Sequence, residues 1–514
     1  MSDNDNNQGR DRVGEKQDAA APLAGEEGSP AGDAAVQATG LAAWLRAPAG
    51  LSATGDGIAS PLGQKSWAMF EWARNPYILV VWIYLFSPYF VNTVVGDPVR
   101  GQGLAGIIQA YSGIVIAFLA PFLGAIADRG GRRKPWIAFY VVILIAAMLP
   151  MWFAMPHASA WGIFFVGALI ATANVAYEFS AVFHNSLLPT IASPRGIAGL
   201  SGLGLALGNA AGIILLLFML IAFALPGMVP WSFIPAHPIW GVSQALHEPE
   251  RLSGPVCAIW LALFSLPLFL FTPDRPSSKM GLGKAMIAGV KSVIATIRSL
   301  RHYRNVGAYL LARLFFNDGM TAVLVFGGIY ASSTFHWGPV PMLVYGIELS
   351  IFAVLGGFFG GWLDNKFGSK NAIFISVGGT AIFGLLSLTM GPDRILWFIP
   401  YDLHAPHVWS APFFNTWPEI VFLAIVNFVA VLITAGYANS RTMLARIAPP
   451  EKMAEFFGLY SLSGQSTSFL ATGFVGWLTL VAHNQRIGLL GETLFLTIGL
   501  VLMFFVKEQR TTAV

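Results

Sequence analysis

Gly124-Ala-Ile-Ala-Asp128-Arg129-Gly-Gly131-Arg132-Arg133-Lys134 is a dense polar knot between two apolar runs of about twenty residues each. Five charges fall in the seven positions from Asp128 to Lys134, in a chain with only 11% charged residues. The two adjacent glycines permit a tight turn, so the stretch reads as a short loop joining two membrane-crossing helices. Its four cations are what the positive-inside bias places on the cytoplasmic side.

The composition supports that reading. The chain has 514 residues, 55% of them hydrophobic, and a mean hydropathy of +0.63. Soluble domains carry about 25% charged residues; only a polytopic helical membrane protein fits these values. A net charge of +4 does not indicate nucleic acid, because the cations are scattered over short loops between apolar runs. The single cysteine, Cys257, excludes an internal disulfide and a cysteine metal cluster. His237, His247, His404 and His407 lack metal-ligand spacing, so neither a metal nor a cofactor is expected.

Twelve apolar spans are expected, at roughly 70–94, 103–127, 135–155, 160–183, 198–225, 255–272, 306–331, 340–363, 371–391, 418–440, 456–481 and 487–506. They divide the chain into a disordered cytoplasmic tail over 1–64, a six-helix bundle over 65–272, a cytoplasmic linker over 273–305, a second six-helix bundle over 306–506 and a short tail over 507–514. No cleaved signal peptide is visible in the tail. Alternate loops hold 24 of the 30 Lys and Arg residues, against 4 on the opposite side. That asymmetry predicts cytoplasmic termini and a cytoplasmic linker. In the linker, Leu282, Met286, Val290, Val293, Ile297 and Leu300 recur every three or four residues, with Lys284, Lys291 and Arg298 on another face. This predicts an amphipathic helix on the membrane surface.

The loop pattern occurs twice. Gly361-Trp-Leu-Asp364-Asn365-Lys366-Phe-Gly368-Ser-Lys370 follows the eighth span as the first copy follows the second. In the second copy the acid stands one place early. Two six-helix halves with a repeated loop match the internal repeats of secondary transporters. The first copy, the more intact, resembles the loop signature of the major facilitator superfamily, which implies a gating latch; on that resemblance the candidate gating residues are Gly124, Asp128, Arg129, Gly131, Arg132, Gly361, Asp364, Lys366 and Gly368. Ionisable groups inside spans are expensive and mark function. Glu71 and Arg74 stand three apart on one face of span one, and Asn174 and Glu178 share a face of span four. Arg313 and Asp318 lie in span seven, five apart and on different faces. Glu348 lies in span eight, Asn209 in span five and Asn427 in span ten. Asp318 is the residue most expected to line a cavity as a proton or amine site.

These features come together in a family resemblance. The loop spacing G-x-x-x-D-R-x-G-R resembles the signature of the major facilitator superfamily. Trp67-Ala-Met-Phe70-Glu71-Trp72-Ala73-Arg74-Asn75-Pro76-Tyr77 is similar to the opening segment of its Atg22-like (UMF1) transporters. Later segments of the same family are similar in turn to Phe183-His-Asn185-Ser-Leu-Leu188-Pro189, to Ala312-Arg313 through Asn317-Asp318-Gly319, and to Ser440-Arg441 through Glu455-Phe456-Phe457-Gly458-Leu-Tyr460. Glu71 replaces the family's Asp, and Arg74 stands where Asn is usual. The resemblance implies an all-α membrane protein of twelve helices that moves a small solute by alternating access, with amino-acid efflux as its best-known role. The expected driving ion is the proton, with Asp318 or Glu178 as carrier. The alternatives are a sugar or drug carrier of the same superfamily and a non-transporting sensor or scaffold. With no Walker-type loop and no nucleophile–base constellation, the chain reads as a non-enzyme. It is expected to be a monomer, embedded in the lipid bilayer of the plasma (inner) membrane.

Overall fold

The structure, a computed structural model, describes residues 50–52, 54–55, 57–129, 132–193, 196–274, 287, 291, 294, 298, 300–449, 456, 459–460, 464 and 469–508. Twelve helical spans run through them: α1 (Pro61–Val94), α2 (Pro98–Arg129), α3 (Lys134–Met148), α4 (Ala160–Ile191), α5 (Ile197–Met219), α6 (Glu248–Phe271), α7 (Arg304–Phe335), α8 (Pro339–Phe367), α9 (Ser369–Leu388), α10 (Trp417–Ile447), α11 (Phe469–Ala482) and α12 (Gln485–Phe504). Eleven are long and apolar enough to cross a membrane; α11 is shorter among the described residues, and Phe456, Leu459, Tyr460 and Gly464 before it are also helical.

Several ends differ from the hydropathy reading, because a helix need not stop where its apolar stretch does. α1 starts at Pro61, inside the segment read as tail: Ser60 caps it by accepting from Gly63 N, and Pro61 takes the first turn, where no N–H is needed. α6 starts at Glu248 rather than 255. Glu248 and Glu250 favour its positive N-terminus, and Arg251 is buried there, donating from Nε to Trp152 O at 2.8 Å. α4 runs on to Ile191 and α10 to Ile447, carrying Arg441 and Arg446 into the helix. The loop over 392–417 contains an unpredicted two-residue pairing, β1 (Arg394–Ile395) with β2 (Ile399–Pro400). Of the linker, Ile287, Lys291, Ile294 and Arg298 are helical and exposed, a single exposed face; Leu282, Lys284, Met286, Val290, Val293 and Ile297 lie outside the described residues.

α1 is not a plain helix. Tyr77–Tyr84 and Phe90–Val94 are π-helical, with Leu85 N bonded to Val80 O five residues back. Pro76 and Pro88 each remove a backbone donor beside these wide turns.

Each half packs mainly on itself: α3 on α4, α2 on α4, and α1 on α5 and α6 in the first; α7 on α12, and α8 and α9 on α10 in the second. The halves meet through α2 against α11, α5 against α8, and the far end of α1 against α7 and α8. α1 and α7 are accordingly the most enclosed spans, with 72% and 61% of their most apolar windows buried. The α2–α11 crossing is a glycine seam. A Cβ on Gly106 would meet Gly476 Cα at 2.5 Å, and one on Gly476 would meet Gly106 Cα at 2.7 Å.

Side-chain hydrogen bonds between the halves gather at one end. Asn92 donates to Ser332 Oγ at 2.9 Å and accepts from Ser333 Oγ at 2.7 Å. Gln102 donates to Thr479 Oγ1 at 2.8 Å, and Gln485 to Pro98 O at 2.9 Å. At the other end, which carries Arg132 and Lys366, Asp274 holds Arg133, Arg446 holds Asp364 and Glu508, and Asn305 bonds Lys507, each within its own half. Asn92, Gln102 and Gln485 thus join the halves at one end of their central divide.

Candidate functional site

In the first half, α1 and α4 bring a cluster of ionisable groups together. Arg74 and Glu71 lie one turn apart and form a forked pair, Nη2 to Oε1 at 2.9 Å and Nε to Oε2 at 3.1 Å. Arg74 also stacks over the Tyr177 ring, 4.5 Å from its centre. Glu71 Oε1 lies 3.3 Å from Nδ1 of the fully buried His184. Tyr77 donates to Asn174 Oδ1 at 2.6 Å, and Asn174 donates to Gln109 Oε1 at 3.2 Å, linking α1, α4 and α2. Glu178 is half-buried on the same stretch of α4, within electrostatic reach of Arg74. Asn75 and Asn209 approach at 3.4 Å on the accessible side of α1 and α5.

The second half has its counterpart on α7. Arg313 donates to Tyr460 O at 2.8 Å and to Asn317 Oδ1 at 3.3 Å, with its guanidinium 3.4 Å above the Tyr460 ring. Asp318 is fully buried. The expectation that it lines a cavity is not met in this state, in which Glu71, with 15% of its side chain exposed, is the more accessible acid. Asn427 donates to Glu348 Oε1 at 2.6 Å, joining α10 to α8.

The repeated loop is partly visible. Gly124, Asp128 and Arg129 occupy the last turns of α2, Gly131 lies outside the described residues, and Arg132 is exposed. The second copy looks faded in sequence, yet it forms a network. Asp364 accepts from Arg446 Nη2 at 2.7 Å and from Ser369 Oγ at 2.5 Å, while Arg446 Nη1 pairs with Glu508 at 2.8 Å. Gly361 is exposed, Gly368 takes a left-handed φ of 83° at the turn into α9, and Lys366 Nζ sits 4.9 Å from the Trp362 ring.

A second repeat, not read in the sequence, holds both loops. Asp274, just after α6, accepts from Arg133 N and Lys134 N at 3.0 Å, capping α3. Glu508, just after α12, accepts from Ser369 N at 2.9 Å and Lys370 N at 3.2 Å, capping α9. Lys134 Nζ then donates to Phe269 O at 3.0 Å, and Lys370 Nζ to Val506 O at 2.7 Å. An acid at a helix N-terminus satisfies orphan N–H groups and the helix dipole together. It recurs at the same place in both halves, as an internal repeat would place it.

Sequence reading missed His184 and Glu492. His184 stands inside the quoted Phe183–Pro189 segment, and a histidine in an apolar span is itself a signal. Glu492 in α12 is only 8% exposed, and its Oε2 has no hydrogen-bond partner among the described residues; a lone acid in an apolar run could have identified it. Among the described residues no group of His, Cys, Asp or Glu is arranged to hold a metal.

Two six-helix halves, enclosed polar clusters on α1 and α7 and a polar seam that joins the halves at one end define a multi-pass membrane transporter of the major facilitator class. The chain belongs to the family described as vacuole effluxer Atg22 like, whose profile matches residues 90–513. It is 22% identical to an uncharacterized MFS-type transporter, YxiO, of Bacillus subtilis, over 88% of this chain and 96% of that protein. It is 22% identical to autophagy-related protein 22 of Yarrowia lipolytica over 67% of this chain, a match spanning 57% of the longer fungal protein. Among solved structures, the nucleoside transporter NupG superposes with a TM-score of 0.59 at 13% identity, covering 86% of this chain and 98% of NupG. A D-xylose-proton symporter gives 0.59 at 12% identity, covering 88% and 99%. These likenesses establish the fold. The family and the fold are those of transporters, not enzymes.

Proposed function

We propose that this protein exports a small solute, an amino acid, by alternating access driven by protons. The observation that carries the reading is the joined end: hydrogen bonds and the glycine seam hold the halves together there, while Glu71 and Glu178 are only partly buried and Asn209 is exposed. The asymmetry of Lys and Arg supports reading the opposite end, both termini and the 273–305 linker as cytoplasmic, and the state as inward-facing. The chain works as a monomer in the plasma (inner) membrane. The efflux direction rests on the family description, and the amino-acid cargo on the resemblance of the motifs to Atg22-like transporters alone. Asp318, fully buried in the second half, and the half-buried Glu178 of the first are the candidate proton carriers.

The test is flux of radiolabelled alanine and leucine in proteoliposomes with and without an imposed pH gradient. Gradient-driven flux that falls in Asp318→Asn or Glu178→Gln is the expected result; flux indifferent to the gradient overturns proton coupling. A thermal-shift screen against amino acids, sugars and nucleosides tests the cargo, since a ligand stabilises the fold that binds it. A melting shift with sugars alone would remove the amino-acid reading.

A further inference from the structure

We infer that Glu71 and His184 form a proton-binding site, in which the proton resides on His184 Nδ1 and faces the Glu71 carboxylate. His184 Nε2 lies 2.9 Å from Trp67 O. A carbonyl can only accept, so Nε2 must carry a hydrogen. The ring cannot turn away from this arrangement. Trp67 Nε1 donates back to His184 O at 2.9 Å, its indole stacks on the imidazole at 4.4 Å, and Phe70 packs 4.7 Å from the same ring. With Nε2 committed, Nδ1 is left 3.3 Å from Glu71 Oε1. A bare Nδ1 would set its lone pair against a carboxylate in an enclosed pocket, where repulsion is poorly screened. A proton on Nδ1 converts that repulsion into an ion pair at 3.3 Å and protonates a buried nitrogen that has no hydrogen-bond partner among the described residues.

The neighbours make the proton electrically balanced. α1 contributes Glu71, Arg74 and Tyr77, and α4 contributes Tyr177, Glu178 and His184. α2 adds the uncharged Gln109, and α3 adds Trp136 and Tyr140, which stack on Phe183. α6 adds Trp260, donating to Trp72 O, and the buried Cys257. α5 carries no ionisable residue between Ile197 and Met219, and its Gly204 packs against Glu71. When Glu71 and Glu178 are both ionised, they leave one negative charge against Arg74, which a proton on His184 cancels. Loading the site therefore leaves no net charge buried, and unloading leaves one negative charge beside the accessible Glu71. The site itself stands on this geometry; its use as the coupling site rests on the transport reading above.

The experiment is nitrogen-15 NMR of the full-length protein, histidine-labelled, in lipid nanodiscs, with His184→Gln assigning the resonances by subtraction. Both His184 nitrogens are expected to be protonated at pH 7 in the unsubstituted protein. In Glu71→Gln, which keeps the side chain's shape, only Nε2 should remain protonated. If His184→Gln does not fold, the difference between the unsubstituted and Glu71→Gln spectra identifies the same signals. A bare Nδ1 in the unsubstituted protein, or a spectrum that Glu71→Gln leaves unchanged, overturns the site whatever the flux measurements show. A protonated Nδ1 that reverts in Glu71→Gln, with flux indifferent to a pH gradient, upholds the site and removes the coupling role alone.

Discussion

Arg74 shows how much one side chain can hold. It forks onto Glu71 and stacks on Tyr177, with about a tenth of its side chain exposed. Removing one partner of a buried pair leaves the other charge uncompensated, at about 3–5 kcal/mol. Arg74→Ala should therefore lower the thermal unfolding midpoint sharply, and Arg74→Ala combined with Glu71→Ala should recover part of that loss. Equal losses in the single and double variants would show that the pair is not coupled. His247 offers a different test. It lies outside the spans, and its Nδ1 donates to Glu250 at 2.9 Å, which raises its pKa above the ordinary histidine value. A raised pKa favours the folded state while the imidazole is charged. That contribution is complete below the unfolded-state value of about 6.5 and is lost as pH rises through the folded-state value. Unfolding midpoints of Glu250→Gln should fall below those of the unsubstituted protein at pH 5.5 and converge towards them at alkaline pH. At this scale the sequence told half the story. Glu71 and Arg74 were legible because they are neighbours on one helix. His184 was not, because its partner Trp67 lies 117 positions away.

At the scale of elements, the spans were legible and their ends were not. An apolar run long enough to cross a bilayer identifies a helix, but caps and prolines decide where it starts, as Ser60, Pro61 and Pro249 do for α1 and α6. The caps at α3 and α9 come from acids that follow α6 and α12, which no local pattern reveals. Asp274→Ala and Glu508→Ala should each cost about 1–2 kcal/mol, the range for losing an N-cap. Glu508→Ala also removes a partner of Arg446. Chemical denaturation in detergent would check both losses. The α2–α11 seam is a different kind of element contact, backbone against backbone. Gly106→Leu should prevent the joined end from forming, read as new labelling by a membrane-impermeant thiol reagent of a cysteine placed at Ser332; unchanged protection would mean that the helices can separate without opening it.

For the whole molecule, the repeat was legible in the duplicated loop and in the six-plus-six count. Which end is joined was not, because Asn92, Ser332 and Gln102 are unremarkable polar residues until the halves meet. With Asn92→Cys and Ser332→Cys in one chain, a short reducible thiosulfonate cross-linker should stop flux, and reduction should restore it. Flux that continues through the cross-link would place the moving parts elsewhere. The wide turns of α1 have a consequence for how this end is released. Each π turn holds an extra residue relative to an α turn, so whatever follows is rotated by about 100° from the course of a regular helix. That torsion lets one rod show Glu71 to its own bundle and Asn92 to the other. Were the turns between Tyr77 and Tyr84 to tighten, Asn92 would swing away from Ser332 without any helix having to tilt: the clasp is undone by twisting its own stem.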